Sequence, residues 1–200
     1  MKHQIISLQD GSTIELPIPE NYRDSIMLIQ SDKYRVLGEK CSYLYICKEL
    51  IFHPFSNPLI WFRLCQYRGR AYRLCFFMYQ RSCRKYCLDI PHTTRVGYGF
   101  YIGHGICIVI NGGTIIGNNV NVSQFTNIGS NEERHAIIGD NVWLGPSVCV
   151  VEDVQIGSGS SIGAGAVVVK NVPQGATVVG VPAKIVNYNN PERYIKNKWK

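Results

Sequence analysis

A parallel β-helix preceded by a small α-helical region is the fold class this sequence predicts, and two observations carry it. The first is a repeat. From Val96 to Val169 an aliphatic residue followed by a small one returns every six positions, as in Val96-Gly97, Ile102-Gly103, Ile116-Gly117, Ile128-Gly129, Leu144-Gly145, Ile156-Gly157 and Ile162-Gly163. Ile108-Val109, Val122-Ser123, Ile138-Gly139, Val150-Val151 and Val168-Val169 continue the same series. A six-residue period marks short strands that each bury one aliphatic side chain and then turn a corner, three strands to a triangular coil. One coil cannot bury its own core, so neighbours must stack and share it. An antiparallel sheet would alternate with period two instead. The second observation is the change to helical spacing, rich in aromatics and arginine, between Asn21 and Leu88.

The elements follow in chain order. Gln4–Leu8 and Thr13–Leu16 read as a hairpin closed by Asp10-Gly11, or equally as a flexible tail, ended by Pro17 and Pro19. Ser31 reads as an N-cap for a helix running past Leu37 towards Leu50, and His53-Pro54-Phe55 breaks it. Asn57-Pro58 starts the next helix, with Asn as cap and Pro in the first turn. A last helix spans about Arg70 to Tyr86 and offers Leu74, Cys75, Phe77 and Met78 for burial. These boundaries give an N-terminal segment and helical domain over 1–88, a β-helix domain over 89–188 and a basic tail over 189–200, read as mobile or amphipathic.

The composition narrows the function classes. The chain has 200 residues, 46% of them apolar, which supports a real core, and a net charge of +7, which suits an anionic ligand or surface. No nucleic-acid module accompanies that charge. Arg63, Arg68, Arg70, Arg73, Arg81 and Arg84 read first as a solvated helix face and second as a peripheral contact with anionic lipid or phosphate. The eight cysteines show neither CxxC pairing nor zinc spacing, so they read as small buried hydrophobes in a reducing, cytoplasmic setting, with no metal. No N-terminal signal pattern and no apolar run long enough to span a membrane is expected here.

A solenoid of aliphatic repeats holds few reactive groups, so polar residues near its irregularities stand out. The period fails twice: two extra residues fall between Ile108 and Ile116, and four between Ile128 and Ile138. His135 lies in the second break, within Glu132-Glu133-Arg134-His135, and His104 one hexapeptide before the first. Asp89 precedes His104 by fifteen positions, close to one coil of about eighteen residues, so the two can stack as a dyad.

These residues carry a resemblance. Asp89-Ile90 followed by His104, Ser123-Gln124 through Ile128-Gly129, Arg134-His135, and Val179-Gly180-Val181-Pro182-Ala183-Lys184 together resemble the serine O-acetyltransferase branch of the left-handed β-helix, or hexapeptide, acyltransferases, from about Leu88 to Val186. The resemblance implies a left-handed coil, acetyl-CoA as donor, a hydroxyl acceptor and a homotrimer with active sites between subunits. It further implies His104 as general base, Asp89 as its orienting partner, His135 assisting at the oxyanion or holding the acceptor, and Arg134 binding an anionic acceptor group. Gly145, Ala164 and Gly165 are expected to let the pantetheine approach the backbone, and Lys170 or Lys184 to meet the nucleotide phosphates. One departure bears on the acceptor: Gly103 stands where serine-specific members carry an Asp. That departure, with the shortened helical part, leans the expectation to a sugar hydroxyl of a capsular, exopolysaccharide or O-antigen unit. L-serine is the alternative, and a non-catalytic trimeric scaffold the second.

Overall fold

The computed structural model describes residues 1–131 and 134–200; Glu132 and Glu133 of the second break lie outside the described residues. The repeat forms a triangular prism. Its first face stacks β3 (Arg95–Val96), β6 (Ile115–Ile116), β9 (Ile137–Ile138) and β12 (Gln155–Ile156). The second stacks β4 (Tyr101–Ile102), β7 (Asn121–Val122), β10 (Trp143–Leu144) and β13 (Ser161–Ile162), and continues into β15 (Thr177–Val179) and β16 (Lys184–Asn187). The third stacks β5 (Val109–Ile110), β8 (Asn127–Ile128), β11 (Cys149–Val150) and β14 (Val167–Val168). The pairs are parallel and in register except for the final β15–β16 antiparallel pair, so the second residue of each prism strand points into one shared core. Gly117 shows why a small residue follows: a Cβ there would lie 2.7 Å from the Gly139 carbonyl of the next coil.

The register corrects one reading. Ile110, not Ile108, pairs with Ile128 and points inward from the third face. Ile108 is also buried, but at the preceding corner, where its carbonyl accepts from the Asp89 amide at 2.8 Å. In Ile-Val-Ile either isoleucine fits a six-residue template, and only the strand pairing decides. The two extra residues therefore fall between Ile102 and Ile110, around His104 itself. The coil also continues beyond Val169, where the sequence repeat ends, through a bridge of Val172 to Ile156 and then β15.

The chain before the prism forms a hairpin and four helices. β1 (Lys2–Ser7) and β2 (Thr13–Ile18) pair antiparallel around Asp10-Gly11. Helix α1 (Tyr22–Leu37) starts at Asn21, whose side chain accepts from the Asp24 amide at 2.9 Å. The N-cap predicted at Ser31 is thus displaced: Ser31 is buried inside α1, donating to the Leu28 carbonyl and accepting from the Gly99 amide. Gly38, in the left-handed region at φ 76°, ends α1, and Ser42 caps a separate α2 (Tyr43–Phe52). Asn57 and Pro58 open α3 (Pro58–Cys65) as predicted. On α4 (Tyr72–Tyr86), Cys75, Tyr79 and Cys83 are buried while Leu74 and Phe77 face outward, contrary to the burial predicted for them.

Arg63 joins helices to prism. Its guanidinium is fully buried, donates twice to Asp32 of α1 at 2.8 and 2.9 Å, and reaches the Val96 and Gly97 carbonyls at 2.8 and 2.6 Å. It therefore leaves the basic face that Arg68, Arg70, Arg73, Arg81 and Arg84 still present to solvent.

Two of the three outer faces are covered. The hairpin lies on the first, where Leu8, Ile14 and Leu16 cluster with Ile115 and the Gln9 amide donates to Gln155 at 2.7 Å. The second is covered by α1 and the C-terminal tail. Arg35 bridges the Lys196 carbonyl, the Gly99 carbonyl and the Asn121 side chain; Tyr194 packs on Trp143, and Trp199 exchanges two hydrogen bonds with Asn119. The tail is thus a packed strap rather than a mobile end. The third face stays bare, with Val109, Asn127 and Cys149 exposed.

Cys47, Cys87 and Cys149 are exposed and Cys107 is half-buried, so only four of the eight cysteines, Cys41, Cys65, Cys75 and Cys83, fit the reading of buried hydrophobes. Outward positions such as Cys149 alternate with inward ones such as Val150, and apolar sequence neighbours did not reveal which was which. No described helix is long and apolar enough to cross a membrane.

Candidate active site

The expected site residues sort onto the two edges that flank the bare third face. The edge between the second and third faces is a ladder of corners in which Phe125 donates to Ile106, Ser147 to Gln124 and Gly165 to Pro146 through backbone amides. This edge carries His104, Gly145, Ala164 and Gly165, with Lys184 above it on β16. The edge between the third and first faces carries Arg134, His135 and Lys170. The structure therefore brings His104 onto one line with Gly145, Ala164 and Gly165. It does not bring His104 and His135 together within one chain.

His104 occupies the corner lengthened by two residues, in the left-handed region at φ 59° and exposed. It opens on a cavity of about 350 Å³ between prism and helices, lined also by Asp32, Lys33, Tyr45, Tyr86 and Tyr101. Asp89 sits at the foot of the third face, bridged to Val109 and exposed. No hydrogen bond joins Asp89 to His104 among the described residues, so the expected dyad contact is not formed in the isolated chain.

Asp32 and Lys33 line the cavity beside His104, a placement that sequence reasoning missed. Burial raises the Asp32 carboxyl above the usual carboxylate range, opposed by the charge and hydrogen bonds of Arg63 and by the Phe100 amide. Lys33 pairs with Glu49 at 3.3 Å and stands over the Tyr45 ring. Their available signal was an adjacent acid and base, Asp32-Lys33, directly after the apolar run Ile26-Met27-Leu28-Ile29 and two polar residues.

His135 is half-buried, its ring laid over Gly113; a Cβ at Gly113 would come within 2.2 Å of the imidazole. Its Nδ1 is buried without a partner among the described residues. Gly113→Ala should therefore displace the ring and lower turnover at least tenfold while shifting the melting temperature by only a few degrees, measured by steady-state kinetics beside thermal melting. Unchanged kinetics would show that His135 does not need this seat. Arg134 donates to Asp153 at 3.0 Å across an exposed pair.

The edge above His104 has room for a slender ligand. At Gly165, φ 69°, an added Cβ would meet nothing within 4 Å, so a chain can approach the backbone there. At Gly145 a Cβ would lie 2.9 Å from the Ala164 amide nitrogen and the Ile162 carbonyl oxygen, so coil stacking already requires glycine there. Ala164, Lys170 and Lys184 are exposed.

Residues 135–170 match the family described as bacterial transferase hexapeptide (six repeats). The serine acetyltransferase of Buchnera aphidicola subsp. Acyrthosiphon pisum is 34% identical over 132 residues, 64% of this chain and 48% of that protein. That of Bacillus subtilis is 35% identical over 127 residues, covering 62% and 58%. The chain thus spans about half the length of the relatives it matches. The crystal structure of Neisseria gonorrhoeae serine acetyltransferase in complex with serine superposes with a TM-score of 0.61 at 32% identity, over 82% of this chain and 69% of that one. The repeat, the prism and these likenesses agree, and the chain belongs to the serine acetyltransferase-like branch of the left-handed β-helix, hexapeptide-repeat acyltransferases.

Proposed function

We propose that the chain is an acetyl-CoA-dependent O-acetyltransferase whose acceptor is L-serine. The observation that carries the reaction class is His104, set at a lengthened corner where the cavity meets the open edge. The acceptor rests on the relatives, which are named serine acetyltransferases, one of them solved with serine and another, from Brucella abortus at 25% identity, with coenzyme A. They favour serine over the polysaccharide sugar expected from Gly103 and the short helical part, for which no comparison offers support.

Acetyl-CoA, when bound, supplies an acetyl thioester. His104 accepts the acceptor's hydroxyl proton as that oxygen attacks the thioester carbonyl, then returns the proton to the departing sulfur. Asp89 fixes the His104 tautomer once assembly closes the distance between them.

The bare third face supports a homotrimer. His104 lies on one of its edges and Arg134-His135 on the other, so docking one copy's edge against the next copy's opposite edge joins the two halves. His135 then stabilises the tetrahedral oxyanion and Arg134 holds the serine carboxylate. Gly165 and Ala164 pass the pantetheine along the edge, with Lys184 or Lys170 at the phosphates.

A free-thiol assay for CoA release tests the acceptor, with L-serine beside nucleotide sugars and oligosaccharide repeats. Release with L-serine at ordinary enzyme rates is expected. Gly103→Asp, at a position where an added Cβ meets nothing closer than 3.6 Å, should raise kcat/KM for serine about tenfold by adding a charged hydrogen bond. Release with a sugar alone would replace serine as the acceptor.

A further inference from the structure

We propose that Cys87 and Cys107 are a disulfide-forming pair, a modification site that ties the end of α4 to the corner bearing His104. Two observations place them together. The Cys107 amide donates to the carbonyl of Tyr86, the residue before Cys87, at 2.9 Å. Cys107 holds the left-handed corner backbone, φ 51°, that Phe125 and Ser147 repeat in the coils above, and Cys87, at φ 52°, is the left-handed C-cap of α4. The thiols also interact: partial burial first, then the charge and hydrogen bond of the Cys87 thiol, push the Cys107 thiol above its ordinary value.

The pair is accessible and well placed. Cys87 is exposed and Cys107 half-buried, unlike Cys65, Cys75 and Cys83, which are buried in the helical core. Cys87 caps α4 and precedes Asp89 by two residues; Cys107 ends the corner that starts at Gly103-His104. The oxidant is a small-molecule disulfide. The thiolate of Cys87 attacks it, forming a mixed disulfide and releasing one thiol; Cys107 then attacks the Cys87 sulfur, closing the protein disulfide and releasing the second thiol. Two cysteine thiols and one small disulfide become one protein disulfide and two small thiols. The link fixes the His104 corner relative to Asp89 and so slows turnover. That last step rests on the acetyltransferase reading, whereas the disulfide itself does not.

The test uses the full chain with oxidised glutathione, followed by alkylation and peptide mapping. The expected product joins the Cys87 and Cys107 peptides with two hydrogen atoms less mass, while Cys47 and Cys149 carry glutathione. Cys87→Ser and Cys107→Ser each abolish the link. Separate alkylation of Cys87 and Cys107 when Cys47 and Cys149 have reacted, or linkage of either to another cysteine, overturns the pair. CoA release by the linked protein should fall at least fivefold and recover with dithiothreitol, with no such fall in the doubly Ser-substituted protein. Unchanged release by the linked protein overturns the effect on the corner. Absence of acetyl transfer in the reduced protein refutes the functional reading instead, and the mapping still decides the pair.

Discussion

His104→Asn should lower kcat/KM for acetyl transfer about a thousandfold, roughly 4 kcal/mol of transition-state stabilisation, without lowering the melting temperature by more than a few degrees. The choice of Asn follows from the backbone. His104 is held at φ 59°, where Asn is tolerated and Ala would add strain unrelated to chemistry. The side chain is exposed in the single chain, so its loss removes little packing. CoA release by the free-thiol assay, beside a melting curve, separates the two effects. Turnover within tenfold of the parent would move the base away from His104.

The second large effect concerns stability. Arg63→Met should destabilise the fold by about 3–5 kcal/mol, because it leaves Asp32 buried without its bidentate partner and strips donors from the Val96 and Gly97 carbonyls. In a chain of this size that corresponds to a fall of about 10 °C in melting temperature. Asp32→Leu alone should cost as much. The double variant should recover part of the loss, since an apolar pair replaces a buried ion pair at little net cost. Additive losses in the cycle would show that the two residues do not act as a unit. The prism depends on this contact because Val96 and Gly97 belong to its first coil, where no earlier coil supplies donors.

The prism was legible in the sequence because its cause is local: one buried aliphatic residue per strand, repeated, leaves a period. What failed was each inference that needed a distant partner. Ile108 and Ile110 are both aliphatic, and pairing with Ile128 alone tells them apart. Arg63 read as part of a basic face because its partner Asp32 lies a helix away. Ser31 looked like a cap, since nothing nearby in sequence reveals that its hydroxyl meets the Gly99 amide. His104, Arg134 and His135 were visible near the breaks in the repeat and Asp89 by its spacing to His104, whereas Asp32 and Lys33 joined the cavity lining only when α1 was laid against the prism.

The strap across the second face has a consequence for how this chain could diverge. From Glu192, hydrogen-bonded to Asn141, through Tyr194 at Asn121 to Trp199 at Asn119 and Lys196 at Arg35, the C-terminal segment runs back down the prism towards the helices. The hairpin spans it likewise, from Glu15 at Asn118 to Gln9 at Asn171. Inserting one more coil would raise everything above it by about 4.8 Å, the spacing between neighbouring strands. Every contact beyond the insertion would then miss its mate, so the two ends of the polypeptide act as a ruler for the number of coils.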